Sequence, residues 1–411
     1  MHGVAPNDET MSPAHARDQA RSILALFADF HPTLSERPIT DFSGLESEAS
    51  SFCQVAPRST EAACHIMSRV HECGVPIRTR AQGHSLNGSS LPHPGELSFS
   101  TENLRVIRFD DPGTVTVGCG VVLWILQHFL RRQGFDLPVL NDGYPGPSVG
   151  GFMASGGFGP RSSLFGGFWN NVIDVGLVDG LGHSHRIART DPLFPWLFGS
   201  MGQLGIFVDA KLAILPRDAL TSPPYPLGTR LLAPQLVAPK VPAEFVIDGD
   251  ARLFWFTLFV PDECIDDAHR ELRELEKRHS QVLRFQERYR YPILSRDIVA
   301  PLVYPYARRF TATGAWGWLT DGSIDRFAKL RDFDREFMEL AASSPDYRRY
   351  VQSEMASETD VYKRCFGSEI YGHFLRLKAK LDAKWLLNRG SVFAVPEGAR
   401  IEPLATPSTP P

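Results

Sequence analysis

The chain has 411 residues, 43% hydrophobic and 22% charged, the composition of an ordinary globular protein, and its formal net charge of −4 provides no overall basic field for nucleic acid or acidic lipid. No apolar run approaches the roughly 18 residues that a membrane span requires. The length suits two domains, or one large domain with an insertion.

The N-terminus, MHGVAPNDETMSPAHARDQA, is polar and lacks a basic segment followed by an apolar one, so it does not read as a secretory signal. Residues 1–49 form an N-terminal extension, disordered or loosely helical over 1–20. Glycine is frequent over 50–217, where short strands and helices alternate. Glu61 to Gly74 reads as a helix ended by glycine, and Pro76 to Arg80 as a strand. Leu104 to Asp110 and Thr114 to Gly118 are strands joined by Asp111-Pro112-Gly113. Val121 to Gln133 is a helix ended at Gly134, and Val172 to Asp179 pairs with His183 to Ile187 across Gly180-Leu181-Gly182. Ile206 to Leu215 closes the segment as a strand.

Residues 218–240 are proline-rich and read as a connection. Beyond them come a strand Leu253 to Val260, an amphipathic helix Asp262 to His279, a strand Val282 to Tyr289 and a helix Ser323 to Ala342, which suggests a second sheet with helices on one face. Residues 368–393 hold a last helix and Leu386-Leu387-Asn388-Arg389-Gly390, before a proline-rich tail. Cys53, Cys64, Cys73, Cys119, Cys264 and Cys365 are scattered with no Cys-x-x-Cys pair, which favours reduced thiols in a cytoplasmic protein over disulfides or a zinc site.

Three stretches invite a chemical reading. Gly118-Cys119-Gly120 between a strand and a helix imitates a dinucleotide fingerprint, but Leu123 stands where the third glycine should be, so a tight turn accounts for it better. Arg80-Ala-Gln-Gly-His-Ser85, continued to Ser89, is a small polar loop after a strand, and successive backbone N–H groups in such a loop can converge on one anion. Pro147 to Gly159 is a second small-residue loop with two Gly-Gly pairs, and its Val149, Phe152, Met153 and Phe158 are more apolar than a solvated linker needs. Two such cradles fit one long ligand with phosphates at its middle. His183 and His185 flank Ser184 on one strand face, with no third metal ligand in view, and exposed strand polarity explains them.

The ordered set Arg-x-x-Gly-His-Ser, Val-Gly-Gly-x-x-x-Ser-Gly-Gly-x-Gly, Asn-Val-x-Asp-x-x-x-Val-Asp-Gly and Gly202-Gln203-Leu204-Gly205-Ile206 resembles the FAD-linked oxidases of the vanillyl-alcohol-oxidase and p-cresol-methylhydroxylase (PCMH) type. Asn388 and Gly390 resemble that family's C-terminal Asn-Pro-Gly, with arginine in place of proline. Gly-His-Ser and Gly-Gln-Leu-Gly-Ile look closest to the cytokinin dehydrogenases. The resemblance implies an α+β, two-domain PCMH-type fold: an FAD-binding domain over 50–217, an α+β substrate-binding cap domain over 218–360, and a segment over 361–411 returning to the FAD domain before a disordered tail.

The resemblance also implies roles for individual residues. Ala81, Gln82, Gly83, Ser85 and Ser89 would contact the pyrophosphate, and Arg80 would belong to the same cofactor-binding loop. Ser148, Val149, Gly150, Gly151, Ala154, Ser155, Gly157 and Phe158 would line the flavin, with Val149 at a gate position. Ile206 would lie near the adenine side and Asn388 near the ring. His84 falls where relatives bond the flavin covalently, and Gly146 stands where some carry a second, cysteinyl link. Asp142 would take a proton from the substrate, with Tyr144 as phenol donor or stacking platform; an Asn-Asp-Gly surface turn is the alternative for Asp142. The function implied is hydride transfer from the C–N bond of a small amine to flavin N5, giving an imine, with dioxygen or another acceptor taking the electrons. Oxidation of an alcohol or sugar C–OH and a redox-neutral cyclase remain alternatives. No partner other than a small molecule is expected, and no nucleic acid or membrane.

Overall fold

Alternating apolar residues between Phe52 and Ala213 build two sheets with helices packed against them. The computed structural model describes residues 13–45, 47–111, 113–141, 146–217, 235–237, 252–319, 324–353 and 359–393. The first sheet has the order Thr33–Ser35, Phe52–Val55, Leu97–Ser100, Ile77–Arg80. Its last three strands are parallel, and parallel strands need a long connection, here including helix Thr60–Cys73. Ser59 caps that helix by accepting from the Ala62 N–H at 3.2 Å. Ala63, Ile66, Met67 and Val70 recur at helical spacing and bury against Val55, Ile77, Leu97 and Phe99.

The second sheet is antiparallel throughout, in the order Gln235–Val237, Val106–Asp111, Thr114–Gly118, Ile206–Ala213, Val172–Val178, Ser184–Ala188. Val115, Val117, Val175, Leu177, Ala210 and Leu212 enter one apolar cluster with Leu123, Leu126 and Leu130 of helix Leu123–Arg132. The stretch expected to be a plain connection thus contributes Gln235–Val237 to this sheet.

A third, wholly antiparallel sheet runs Leu283–Ile293, Phe310–Leu319, Arg252–Pro261, Arg348–Arg349. Phe254, Phe256 and Leu258 point to helices Ile265–His279 and Ile324–Ala342, packing on Leu272, Leu275, Phe333 and Phe337. Trp255 and Phe259 point the other way. There the Phe158 ring meets Trp255 at 6.4 Å, Phe259 at 5.4 Å, Tyr291 at 6.2 Å and Tyr350 at 5.2 Å between centroids. Strand Phe310–Leu319, between the two strands expected from the sequence, escaped the pattern because Gly314 and Gly317 interrupt it.

The C-terminal segment returns to the first sheet. After helix Ser368–Leu381, the Ile77 N–H donates to Leu386 O at 2.8 Å and the Asn388 N–H to Ile77 O at 3.0 Å. Lys378 and Asp382 are fully buried and paired at 2.7 Å. The Lys378 ammonium also donates to Gln203 O at 2.7 Å and Leu387 O at 2.9 Å, so each of its three N–H groups has an acceptor. The Asp382 carboxylate accepts from the Leu386 and Leu387 N–H groups. Arg78 makes a buried pair with Glu96 at 2.8 Å and donates to Ser391 Oγ and Arg389 O. No helix among the described residues is long and apolar enough to cross a membrane. Lys378→Met, which strands Asp382 without its cation, should lower the unfolding free energy by about 3–5 kcal/mol; a urea midpoint equal to that of the wild type would contradict this.

Candidate cofactor site

The two small-residue loops meet. Residues 81–90 leave the end of strand Ile77–Arg80, and the second loop enters helix Val149–Ser155. The latter is held by Val149 N–H to Val121 O at 2.8 Å and Gly150 N–H to Cys119 O at 2.9 Å. Ser148 caps the helix, its Oγ accepting from the Gly151 N–H at 3.1 Å. Gly118-Cys119-Gly120 is therefore a packing turn: a Cβ on Gly120 would stand 2.0 Å from Thr101 O.

Between the loops lies a cleft of about 790 Å³, its open mouth included. Arg80, Ala81, Gln82, Gly83, His84, Ser85 and Ser89 form one wall, and Ser148, Gly150, Gly151, Ala154 and Ser155 another. Asn388 joins them with Met201, Gly202 and Gly205. The structure thus assembles most of the expected site residues. Val149, Gly157, Phe158 and Ile206 face elsewhere. Val149 is fully buried in the core; Gly157 packs on the Phe152 ring; Phe158 plugs the third sheet; Ile206 sits in the cluster with Ile77, Phe99 and Leu387. Asp142 and Tyr144 lie outside the described residues.

Asn388 closes the cleft at one end. It has φ +44°, its Oδ1 accepts from the Thr79 N–H at 2.7 Å, and its Nδ2 donates to Thr79 Oγ1 at 3.2 Å and Met201 O at 3.3 Å. Gly202-Gln203-Leu204-Gly205, singled out in the sequence without a structural role, contributes both lining glycines and Gln203, whose side-chain amide pairs with Phe393 N–H and O. Gln352 had no signal at all. It arrives from beyond the third sheet, its Nε2 donating to His84 O at 3.1 Å.

The cleft suits a dianionic ligand. No carboxylate is among the described residues that line it. Arg80 brings a cation, its guanidinium donating to Thr40 O at 2.8 Å and Ser90 Oγ at 3.3 Å. The guanidinium lies against Gly83, which has φ +70° and where a Cβ would stand 2.2 Å from Arg80 Nη2, so a larger residue at 83 would be strained and would displace the guanidinium. Ala81, Gln82, Gly83, His84, Ser85, Ser89 and Ser90 make up the rest of that wall, and hydroxyls and backbone N–H groups of such loops are the donors that cradle diphosphates. These residues fit the middle of an FAD. His84 packs beside Phe42, ring centroids 4.3 Å apart, and burial pulls its pKa down to about 4, so its imidazole is neutral at pH 7.

Residues 53–188 match the model of the FAD binding domain. The chain is similar to cytokinin dehydrogenase 1 of Arabidopsis thaliana, 27% identical over 158 residues that cover 37% of this chain and 27% of that one. It is also similar to the mitochondrial D-2-hydroxyglutarate dehydrogenase of Bos taurus, 27% over 179 residues, covering 41% and 33%, and to glycolate oxidase subunit GlcD of Bacillus subtilis, 26% over 173 residues, covering 40% and 37%. The chain thus spans only 27%, 33% and 37% of the length of these relatives. The chain carries an FAD-binding domain over residues 53–188 and is similar to FAD-linked oxidoreductases.

Two outcomes follow for the cleft. Gly83→Ala should weaken FAD binding at least about tenfold, a loss of about 1.4 kcal/mol, in a protein that still folds; unchanged affinity in a fluorescence titration would contradict the close packing on Arg80. The folded pKa of His84 lies below its ordinary 6.5, so between about 4 and 6.5 the unfolded chain binds the proton more readily. This contribution to stability is complete above 6.5 and is lost as the pH falls toward 4. In flavin-free protein, His84→Asn should therefore flatten the acid limb of the unfolding midpoint plotted against pH; an identical slope would contradict a neutral, buried His84.

Proposed function

We propose that the protein is an FAD-dependent oxidoreductase that removes hydride from the C–N bond of a small amine and leaves an imine. The observation that carries the reading is the single cleft in which residues 80–89, 148–155 and Asn388 converge without a lining carboxylate. The likeness to cytokinin dehydrogenases supports the amine. When bound, the flavin supplies the hydride acceptor and passes electrons to dioxygen or another acceptor.

The protein's residues hold and shield. The 81–85 loop holds the pyrophosphate through its N–H groups, with Ser85 fixing the turn behind them. Asn388 braces the cleft at the isoalloxazine end. His84, whose neutral imidazole lines the cleft, is the covalent anchor, and Gly146 offers no second one. Asp142 takes the substrate proton as hydride leaves carbon, with Tyr144 beside it. Trp255, Tyr289 and Tyr291 form an aromatic group on the third sheet, packed against Phe158 of the FAD domain, and a planar or apolar substrate would suit their neighbourhood.

A second reading, oxidation of an alcohol such as a 2-hydroxy acid, is favoured by the likeness to D-2-hydroxyglutarate dehydrogenase and the glycolate oxidase subunit. Anaerobic addition of amines, cytokinins, sugar alcohols and 2-hydroxy acids should bleach the flavin with an amine. Bleaching by a hydroxy compound alone would replace the first reading by the second, and bleaching by none would argue for the redox-neutral alternative. Acid precipitation should retain yellow colour in the wild-type pellet and lose it in His84→Ala; a colourless wild-type pellet would remove the covalent anchor.

A further inference from the structure

The segment before the FAD domain packs against the back of the histidine loop. Asp41 is fully buried. Its Oδ1 accepts from the Ser43 N–H at 2.9 Å, Ser43 Oγ at 2.6 Å and the Leu45 N–H at 3.2 Å, which closes a local turn. Its Oδ2 faces the cofactor loop, accepting from the Gly88 N–H at 2.8 Å and Ser85 Oγ at 3.1 Å. Ser85 Oγ in turn pairs with Ser90 Oγ at 2.7 Å. The next residue repeats the pattern: the Phe42 N–H donates to both Gly83 O and Ser85 O, at 3.0 and 3.1 Å, and its ring packs on His84. Thr40 O receives the Arg80 guanidinium. Three consecutive residues therefore hold the loop at Arg80, at Gly83 to Ser85, and at Gly88.

We propose that Asp41 is a positioning residue of the cofactor site: its Oδ2 fixes the 85–88 turn so that the loop stands ready for the diphosphate before FAD arrives. This rests on the reading of the cleft as the FAD site. The physical basis is the cost of ordering. A glycine- and serine-rich loop loses much conformational freedom when it closes on a ligand, and an anchor that pre-orders it returns that cost as affinity. A carboxylate serves because one oxygen closes the turn while the other remains for the loop. Burial alone raises the Asp41 pKa, and the bonds from Ser43, Gly88 and Ser85 oppose that rise. Asp41 touches no ligand atom under this scheme and acts through Ser85 and Gly88.

The test uses the full chain in the His84→Ala background, so that FAD can be removed and returned. Asp41→Asn leaves one acceptor oxygen for two sets of donors, so its NH2 must confront one set, and the loop loses the charged acceptor in either orientation. We expect FAD to bind about 10- to 100-fold more weakly, the size of one lost charged hydrogen bond, and hydrogen exchange to quicken over 85–90 in the flavin-free protein. Ser43→Ala removes a donor of the local turn alone and should keep affinity within about twofold. Asp41→Asn binding within about twofold of its parent, or Ser43→Ala weakening binding as much as Asp41→Asn, would reduce Asp41 to a structural role and overturn the proposal. If Asp41→Asn does not fold, Asp41→Glu takes its place, since it keeps the charge and displaces it by one methylene; parental affinity in that variant overturns the proposal equally. A parent that takes up no FAD at all would sink the reading of the cleft itself, a different result from a parent that binds and a variant that binds alike.

Discussion

Much of the site depends on one buried cation. Lys378 sits with no solvent contact among Asp382, Gln203 O and Leu387 O. Burial lowers its pKa and the Asp382 carboxylate works to restore it. Removing such a pair from water is expensive, and the arrangement is tolerable because the Lys378 donors and the Asp382 acceptors are matched. The pair ties helix Ser368–Leu381 and the strand-like 386–388 that follows it to the 202–205 loop, far away in sequence. Those last two are two of the walls that bring Asn388 to the cleft. Arg78 with Glu96 repeats the device a few residues further along, gripping Arg389 O and Ser391 Oγ.

The cleft between these clamps follows a different chemistry. Charges are kept at its back: the Arg80 guanidinium turns to Thr40 and Ser90, and Asp41 turns to Ser43, Ser85 and Gly88. The lining is largely small, hydroxylated or backbone, with Gln82, His84, Met201, Phe207 and Gln352 among it. A diphosphate there would meet many fixed dipoles, with the Arg80 guanidinium behind them. The third sheet is joined to both loops by residues 350–352. Gln352 reaches His84 O, Asn87 donates to Val351 O at 3.3 Å, and Tyr350 is hydrogen-bonded to Ser155. The third sheet and the cleft so connected would move together.

Local patterns in the sequence exposed the elements that local physics determines. Helix Thr60–Cys73 has its cap and its apolar stripe, and the hairpin of Val172–Val178 with Ser184–Ala188 has its glycine turn. Strand Phe310–Leu319 lies at the middle of its sheet, between partners on both sides, so its glycines fit under neighbouring backbone and erase the alternation. The glycine loops were legible as cradles, since small polar residues in series have few other uses. Which of their members face inward was not legible: Val149 and Phe158 belong to the same run as Gly150 and Ala154, yet turn to the core. Gln352 and Asp41 were invisible for another reason. A lone glutamine and an Asp-Phe-Ser-Gly turn acquire meaning only from chain segments packed against them, and no spacing encodes that contact.

The central claim is that four separate stretches form one FAD site. Hydrogen–deuterium exchange on the His84→Ala protein, before and after FAD is added, tests it most directly. The account predicts that FAD slows exchange together in 79–90, 147–155, 201–205 and 386–391. Protection confined to the first loop, or absent from all four, would contradict it.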